Sequence, residues 1–420
     1  MSLLPRLLRV RQNFPRPPPL DIAAALAAGF GRLRPRLKAG ARIAVGVGSR
    51  GITHLPEIIA AVLDQLRAAG TQPFIIPAMG SHGGATPEGQ REVLAGYGIT
   101  AEAMHAPVHA SLDVRQIGRT ADGAPVFCSV EALGADGIVV VNRVKPHTDF
   151  SGQLGSGLLK MCVIGLGKRT GAAAMHLAAS QIGHERAIRG MAGVILRTAP
   201  VLGGVAVLEN QFHETARLVV VPREEMETGE DDLLVEARRL MPLLPFEEID
   251  LLIVDWLGKN ISGSGMDPNV TNRGVDGYLS TLRREGRPAP FIRRIFVRDL
   301  TPETHGNAIG IGFADVTTTR LIRAMDTRAT NINALTSLTP NSAKIPIAFD
   351  SDREAIERSL ASVPLAGPGA ARIVRIADTL SLAEMEISES LWHEVKTPGA
   401  LAALGEPREL QFDSAGNLAL

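Results

Sequence analysis

Two kinds of apolar pattern alternate along the chain. ARIAVGVG (41–48) is continuous and β-branched, the pattern of a strand buried on both faces. LPEIIAAVLDQLRAAG (55–70) carries apolar residues at helical spacing and stops at Gly70, and QPFIIPAM (72–79) is a second buried strand. Strand, helix and strand in such close succession predict a parallel βαβ unit. APVFCSV (124–130) and GIVVVNRVK (137–145) predict further strands, and 170–183 and 184–199 predict helices. GVAVLENQF and TARLVVVP predict a strand pair with Glu209, Asn210 and Gln211 at its tip, and a helix near 231–241 closes the first unit. Residues 1–40 read as an arm broken by Pro15 to Pro19, with a short helix over Ile22–Arg36. PLLPFEEID (242–250) reads as a linker. After it DLLIVDWLG, RRIFVRDL, AKIPIAFDS and ARIVRIADT recur as strands between helical stretches. The expectation is an α/β protein of two domains with mainly parallel sheets, residues 1–245 and 246–395, and an active site in the cleft between them. The tail, 396–420, is expected to return to the first domain.

Composition narrows the class. The 420 residues carry 44 basic and 44 acidic side chains, so net charge supplies no attraction to nucleic acid or a membrane surface. No apolar run approaches the ~18 residues of a spanning helix, and the N-terminus lacks the apolar core of a signal peptide. Two cysteines, Cys128 and Cys162, make neither a disulfide framework nor a four-thiolate cluster, and a reducing cytoplasm is expected.

The candidate chemistry is concentrated in 142–176, NRVKPHTDFSGQLGSGLLKMCVIGLGKRTGAAAMH. It holds His147, His176, three of the seven lysines and six glycines. Arginine supplies nearly all positive charge elsewhere, yet this stretch keeps lysine. Lysine can act as a neutral nitrogen nucleophile and form an amide; arginine cannot. Lys160 is therefore expected to carry a covalently attached cofactor that His147 and His176 act on or hold. On one unbroken helix Lys160 and His176 would stand about 24 Å apart. Gly165, Gly167 and Gly171 are expected to break the helix and bring both to one pocket. Gly152, Gly155 and Gly157 are expected to let backbone amides at a helix start wrap a phosphate.

Two other loops follow strand ends. Gly46-x-Gly48-x-x-Gly51 has the form of a dinucleotide fingerprint, but the next strand ends in Met79-Gly80-Ser81-His82, without the acidic ribose partner. Arg50 in the first loop faces the usual ligand crevice of an open sheet. His82 in GSHGGATPEG is framed by glycines that leave its imidazole open to a ligand, and Thr86-Pro87 marks a helix start. No GxxxxGK[ST] or HExxH pattern is present.

GSRG (48–51), GSHGGAT (80–86), VKPHTDFSG (144–152) and GSGLLKM…GAAAMH (155–176), in that order, resemble the lactate racemase family that uses a nickel-pincer nucleotide. The resemblance implies that Lys160 joins the cofactor's pyridinium ring through a thioamide and that His176 completes a square-planar nickel. It implies that His82 and His147 form an acid/base pair and that Arg50 touches substrate or cofactor. Ser49, Gly155, Gly157, Asn272 and Arg273 are then expected around the cofactor, with Lys259 a further second-domain candidate for holding substrate. The first loop, GSRGI, departs from the lactate enzymes' acid-rich version, which leaves the identity of the acid open.

The implied chemistry has a physical logic. Removing a proton from carbon beside a carboxylate builds a second negative charge; removing hydride leaves a planar keto acid with two open faces. No side chain accepts hydride, so a cofactor must. The hydroxyl proton leaves with it, and a base is needed for each face, a task suited to two histidines. The expected partners are a 2-hydroxy acid and the enzymes that make the cofactor, with homo-oligomerisation left open. The alternatives are an NAD-dependent 2-hydroxyacid dehydrogenase and a non-catalytic nucleotide- or metal-binding protein of the same fold.

Overall fold

A computed structural model describes residues 4–49, 51–148, 152–273, 290–365, 367, 369–395 and 397–419. Arg50 and Asp149 lie outside the described residues. The chain divides into two compact units, Pro17–Met241 and Met1–Arg16 with Pro242–Leu420.

The strands, in chain order, begin with β1 (Leu7–Gln12), β2 (Arg42–Val47), β3 (Gln72–Pro77), β4 (Val114–Arg119) and β5 (Pro125–Ser129). β6 (Gly137–Arg143), β7 (Val201–Glu209) and β8 (Thr215–Pro222) complete the unit Pro17–Met241. Its sheet has the order β3-β2-β6-β7-β8, parallel except for β8, while β4 and β5 form a separate hairpin. The alternation along β2 explains its continuous apolar sequence. Ile43, Val45 and Val47 pack with the helices Ile22–Phe30 and Leu55–Ala68, and Ala44 faces the opposite core with Ile138 and Val140. Local signals set several boundaries. Asp21 caps the first helix on Ala24 N at 2.9 Å, and Thr86 caps Pro87–Gly96 on Gly89 N at 3.0 Å.

The other unit adds β9 (Glu248–Leu257), β10 (Phe291–Leu300), β11 (Val316–Thr318), β12 (Ile347–Phe349), β13 (Ile373–Ile376), β14 (Glu384–Ser388) and β15 (Leu401–Ala403). With β1 they form one sheet in the order β12-β11-β10-β9-β13-β14-β1-β15. The strands from β12 to β13 are parallel, and β14, β1 and β15 add antiparallel. The described chain is thus mixed α/β with mainly parallel sheets.

The termini differ from expectation. LLRVRQ is a strand, not part of an irregular arm. It pairs with β14, so residues up to Arg16 belong with the C-terminal unit. In the tail, β15 pairs with β1, whose residues 7–12 lie within the expected first domain 1–245 and here belong to the unit with Pro242–Leu420. Leu8 and Val10 alternate with exposed Arg9 and Arg11, a half-buried strand whose partner lies at the far end of the chain. The last residues are held by a buried ion network. Arg298 pairs with Asp255 and Asp352, each at 2.8 Å, and donates to Leu418 O at 2.8 Å. Asp352 accepts Leu418 N at 2.9 Å, and Arg375 reaches Asp255 at 3.0 Å and Ala419 O at 2.9 Å. Among the described residues no helix is long and apolar enough to cross a membrane.

Candidate active site

The carboxyl ends of adjacent parallel strands β3, β2 and β6 carry the loops with His82, Ser49 and His147. This is where an open α/β sheet offers a ligand crevice. The strand tips are tied to one another. Glu209, at the end of β7, is paired with Arg143 of β6 and accepts Thr53 N at 3.0 Å. Thr53 also donates to His213 O, and its carbonyl accepts Thr215 Oγ1 at 2.9 Å. The polar hairpin tip expected from the sequence thus anchors the loop that contains Arg50.

Ser49 Oγ is hydrogen-bonded to His82 Nδ1, and Tyr97 Oη donates to Ser49 O at 3.0 Å. Ser49, expected beside a cofactor, is here the partner of the histidine. Gly48 is held close to the next element: a Cβ there would stand 2.8 Å from Met161 Cε, one residue past Lys160.

Lys160 ends a short turn, Leu158–Lys160, that continues as a π-helical turn, Met161–Leu166. The break expected between Lys160 and His176 is present. Lys168 has φ 54°, and the helix Lys168–Ile182 starts there as a new element. Lys160 Nζ lies 2.6 Å from His147 Nε2 and donates to Ser156 Oγ at 3.3 Å. His147 is buried. Burial, with the Lys160 ammonium next in size, holds its pKa well below the ordinary imidazole value, and His184, Lys145 and His176 act in the same direction. His147 is therefore neutral near pH 7.

His147 and His184 have ring centroids 6.0 Å apart, and His184 and His176 6.5 Å apart in an edge-on arrangement. The fold so gathers Lys160, His147 and His176, with His184 between the last two. Sequence reasoning missed His184. Its signal was its place beside Gly183, two helical turns beyond His176. An open cleft of about 770 Å³ beside it is lined by His184, Glu185, Arg189, Thr120 and Asp122, among others. Among the described residues no group of three or more His, Cys, Asp or Glu side chains is placed to hold a metal ion.

Two groups of expected cofactor residues make other contacts in the structure. The helix start before Lys160 was expected to offer amides to a phosphate through Gly155 and Gly157. Leu159 N instead donates to Glu230 Oε2 at 2.8 Å, and Glu230 is fully buried. The glycines serve close approach: a Cβ at Gly157 would overlap the Glu230 carboxyl, and one at Gly155 would overlap Lys145 O. The Glu230 carboxyl takes the Leu159 amide that a phosphate there would need. Asn272 and Arg273 were expected near the cofactor. Arg273 is instead buried, paired with Asp315 at 2.6 Å and donating to Phe313 O, Ile292 O and Arg293 O. Asn272 donates to Pro290 O at 3.2 Å from a left-handed backbone that ends the helix Pro268–Thr271. Lys259 donates to Asn333 Oδ1, beyond the carboxyl end of β9.

Glu230 also predicts a pH effect. Burial raises its pKa from 4.5 to about 7 against the opposing amides of Leu159 and Leu158. A carboxyl ionised in the unfolded chain above pH 4.5 but neutral in the fold up to about 7 lowers stability as pH rises through that window. The shift corresponds to roughly 3 kcal/mol. Denaturant unfolding of Glu230→Gln at pH 4.5 and pH 8 should show a loss smaller than the wild type's by about that amount. Parallel curves for the two proteins would refute the assignment.

Residues 21–188 match the family model described as the lactate racemase N-terminal domain. No curated protein matches the chain. Among solved structures, the lactate racemase apoprotein from Thermoanaerobacterium thermosaccharolyticum is 13% identical, with 90% of this chain and 99% of that one covered and a TM-score of 0.53. A Thermotoga maritima protein is 12% identical, with 88% and 99% covered and a TM-score of 0.50. At such identities these two likenesses speak for the fold alone. The family match spans Ser49, His82, His147, Lys160, His176 and His184, so through residues 21–188 the chain is similar to the lactate racemase family.

Proposed function

We propose that this protein interconverts stereoisomers of a 2-hydroxy acid by reversible hydride transfer, with a nickel-pincer nucleotide attached at Lys160. The observation that carries the reading is a lysine amine 2.6 Å from a buried, neutral imidazole, inside a three-histidine group within the matched domain. The donor set fits such a group at two points. Lys160 offers the nitrogen for a thioamide, and His176 offers one imidazole to a nickel whose other donors are the cofactor's own carbon and sulfur. The helix-start amides do not fit its phosphate, because Leu159 N is spent on Glu230.

When bound, the cofactor supplies the hydride acceptor that no side chain can be. The chain's own residues handle the proton. His82, hydrogen-bonded to Ser49, exchanges the hydroxyl proton for one enantiomer; His147 does so for the other. Each is worth about 10²- to 10⁴-fold in rate. Acylating Lys160 removes its positive charge, the second cause depressing His147, and so raises that imidazole's basicity. Arg50 holds the substrate carboxylate as a bidentate partner.

The test is expression together with the enzymes that make the cofactor. Intact mass and peptide mapping would read an adduct on Lys160, metal analysis one nickel per chain, and chiral chromatography the inversion of small 2-hydroxy acids, lactate included. Unmodified Lys160 in protein from cells that load a known racemase would overturn the reading. So would turnover that depends on added NAD.

A further inference from the structure

Lys168 is 1% exposed and has a left-handed backbone. Lysine is seldom fully buried, and φ of 54° is costly for a residue with a Cβ. Its side chain spans to the end of β3. Nζ donates to Pro77 O and lies 3.4 Å from Gln90 Oε1. Gln90, also fully buried, donates from Nε2 to Met79 O and Gly80 O, each at 3.2 Å. The two side chains so serve three carbonyls where the chain leaves the β3 ladder, two residues before His82. Buried carbonyls without a donor would each cost a desolvation penalty. There is little slack: a Cβ at Gly80 would stand 3.3 Å from both Ala172 Cβ and Ile164 Cγ2. Lys168 also begins the helix bearing His176 and comes just after the π-helical turn Met161–Leu166 that follows Lys160.

We propose that Lys168 is a positioning residue: through Pro77 O and Gln90 it sets the main chain leading to His82 against the segment that carries Lys160 and His176. This rests on His82 acting as an acid/base in the reaction proposed above. Displacing a proton-transferring group by a fraction of an ångström to an ångström slows turnover without abolishing binding. The amine suits the place. Burial lowers its pKa to about 8, with Glu131 and Cys128 opposing, and it donates hydrogen bonds whether charged or neutral.

The test uses Lys168→Met, which fills the space and removes the donor, and Gln90→Leu, which removes the other half of the clasp. In protein without cofactor, amide hydrogen exchange over residues 78–90 should quicken roughly tenfold or more, with the Lys160 turn unchanged. In loaded protein the Lys160 adduct should persist by intact mass and KM should change little. Turnover should fall roughly 10- to 100-fold, with a larger solvent deuterium isotope effect. Lys168→Gln, which keeps a donor for Pro77 O, should recover part of the loss. Unchanged exchange over 78–90 overturns the proposal, as does normal turnover with a normal isotope effect. If Lys168→Met fails to fold, Gln90→Leu decides by the same measures. A wild type that carries the adduct but inverts no 2-hydroxy acid overturns the acid/base reading itself, and this proposal with it.

Discussion

Replacing Lys160 with alanine is expected to remove the covalent adduct and reduce inversion of the substrate to background. Lys160→Arg should behave the same way, because a guanidinium does not form the amide. The loss exceeds that of either acid/base histidine, since a missing base leaves slower proton transfer through water, whereas a missing hydride acceptor leaves no route. The protein should remain folded, because Lys160 is only half-buried and no core apolar contact is removed with it. A second consequence is measurable without cofactor. The ammonium of Lys160 is the second largest cause lowering the pKa of His147, so the imidazole should titrate at higher pH in Lys160→Ala. Mass spectrometry and chiral assays read the first effect and histidine NMR the second. Nickel retention with residual turnover in the alanine variant would remove covalent attachment from the scheme and favour a reversibly held metal or nucleotide.

Asp352→Ala should destabilise the C-terminal unit by about 3–5 kcal/mol. Asp352 is fully buried at the start of the helix Asp352–Ala361 and takes Arg298 at 2.8 Å, Arg320 at 3.2 Å and the amide of Leu418 at 2.9 Å. Removing it leaves the nearly buried Arg298 guanidinium with Asp255 alone on the carboxylate side. An uncompensated charge in low dielectric costs more than the pair itself contributes. The tail residues near Leu418 lose their anchor at the same time, so they should become sensitive to limited proteolysis. The pair Arg298→Met with Asp352→Leu, which removes both charges, should cost less than Asp352→Ala alone. Denaturant unfolding of the three variants reads the effect. Equal losses for the single and double replacements would show that packing, not the stranded charge, dominates.

Much of the framework was legible along the chain because it rests on local causes. The continuous apolar runs of β2, β3 and β6 and the helical spacing of Leu55–Ala68 come from burial on two faces or one. Thr86 with Pro87 marks a helix start by itself, and the break between Lys160 and His176 follows from residues that disfavour continuation. Strand-end loops carrying Ser49, His82 and His147 were legible because parallel sheets place such loops on one rim. What only the tertiary structure decided depends on partners remote in sequence. LLRVRQ becomes a strand because β14 lies beside it, and Arg273 turns inward because Asp315 meets it. The amide before Lys160 is filled by Glu230 from a distant helix, and Lys168 is drawn inside by Gln90 and the end of β3. In each case the side chain's own preference is for water, and a buried polar group finds its compensating bond only when packing delivers a partner from elsewhere. Periodicity carries no record of that partner, so sequence marked the candidate residues and the assembled fold determined what each one faces.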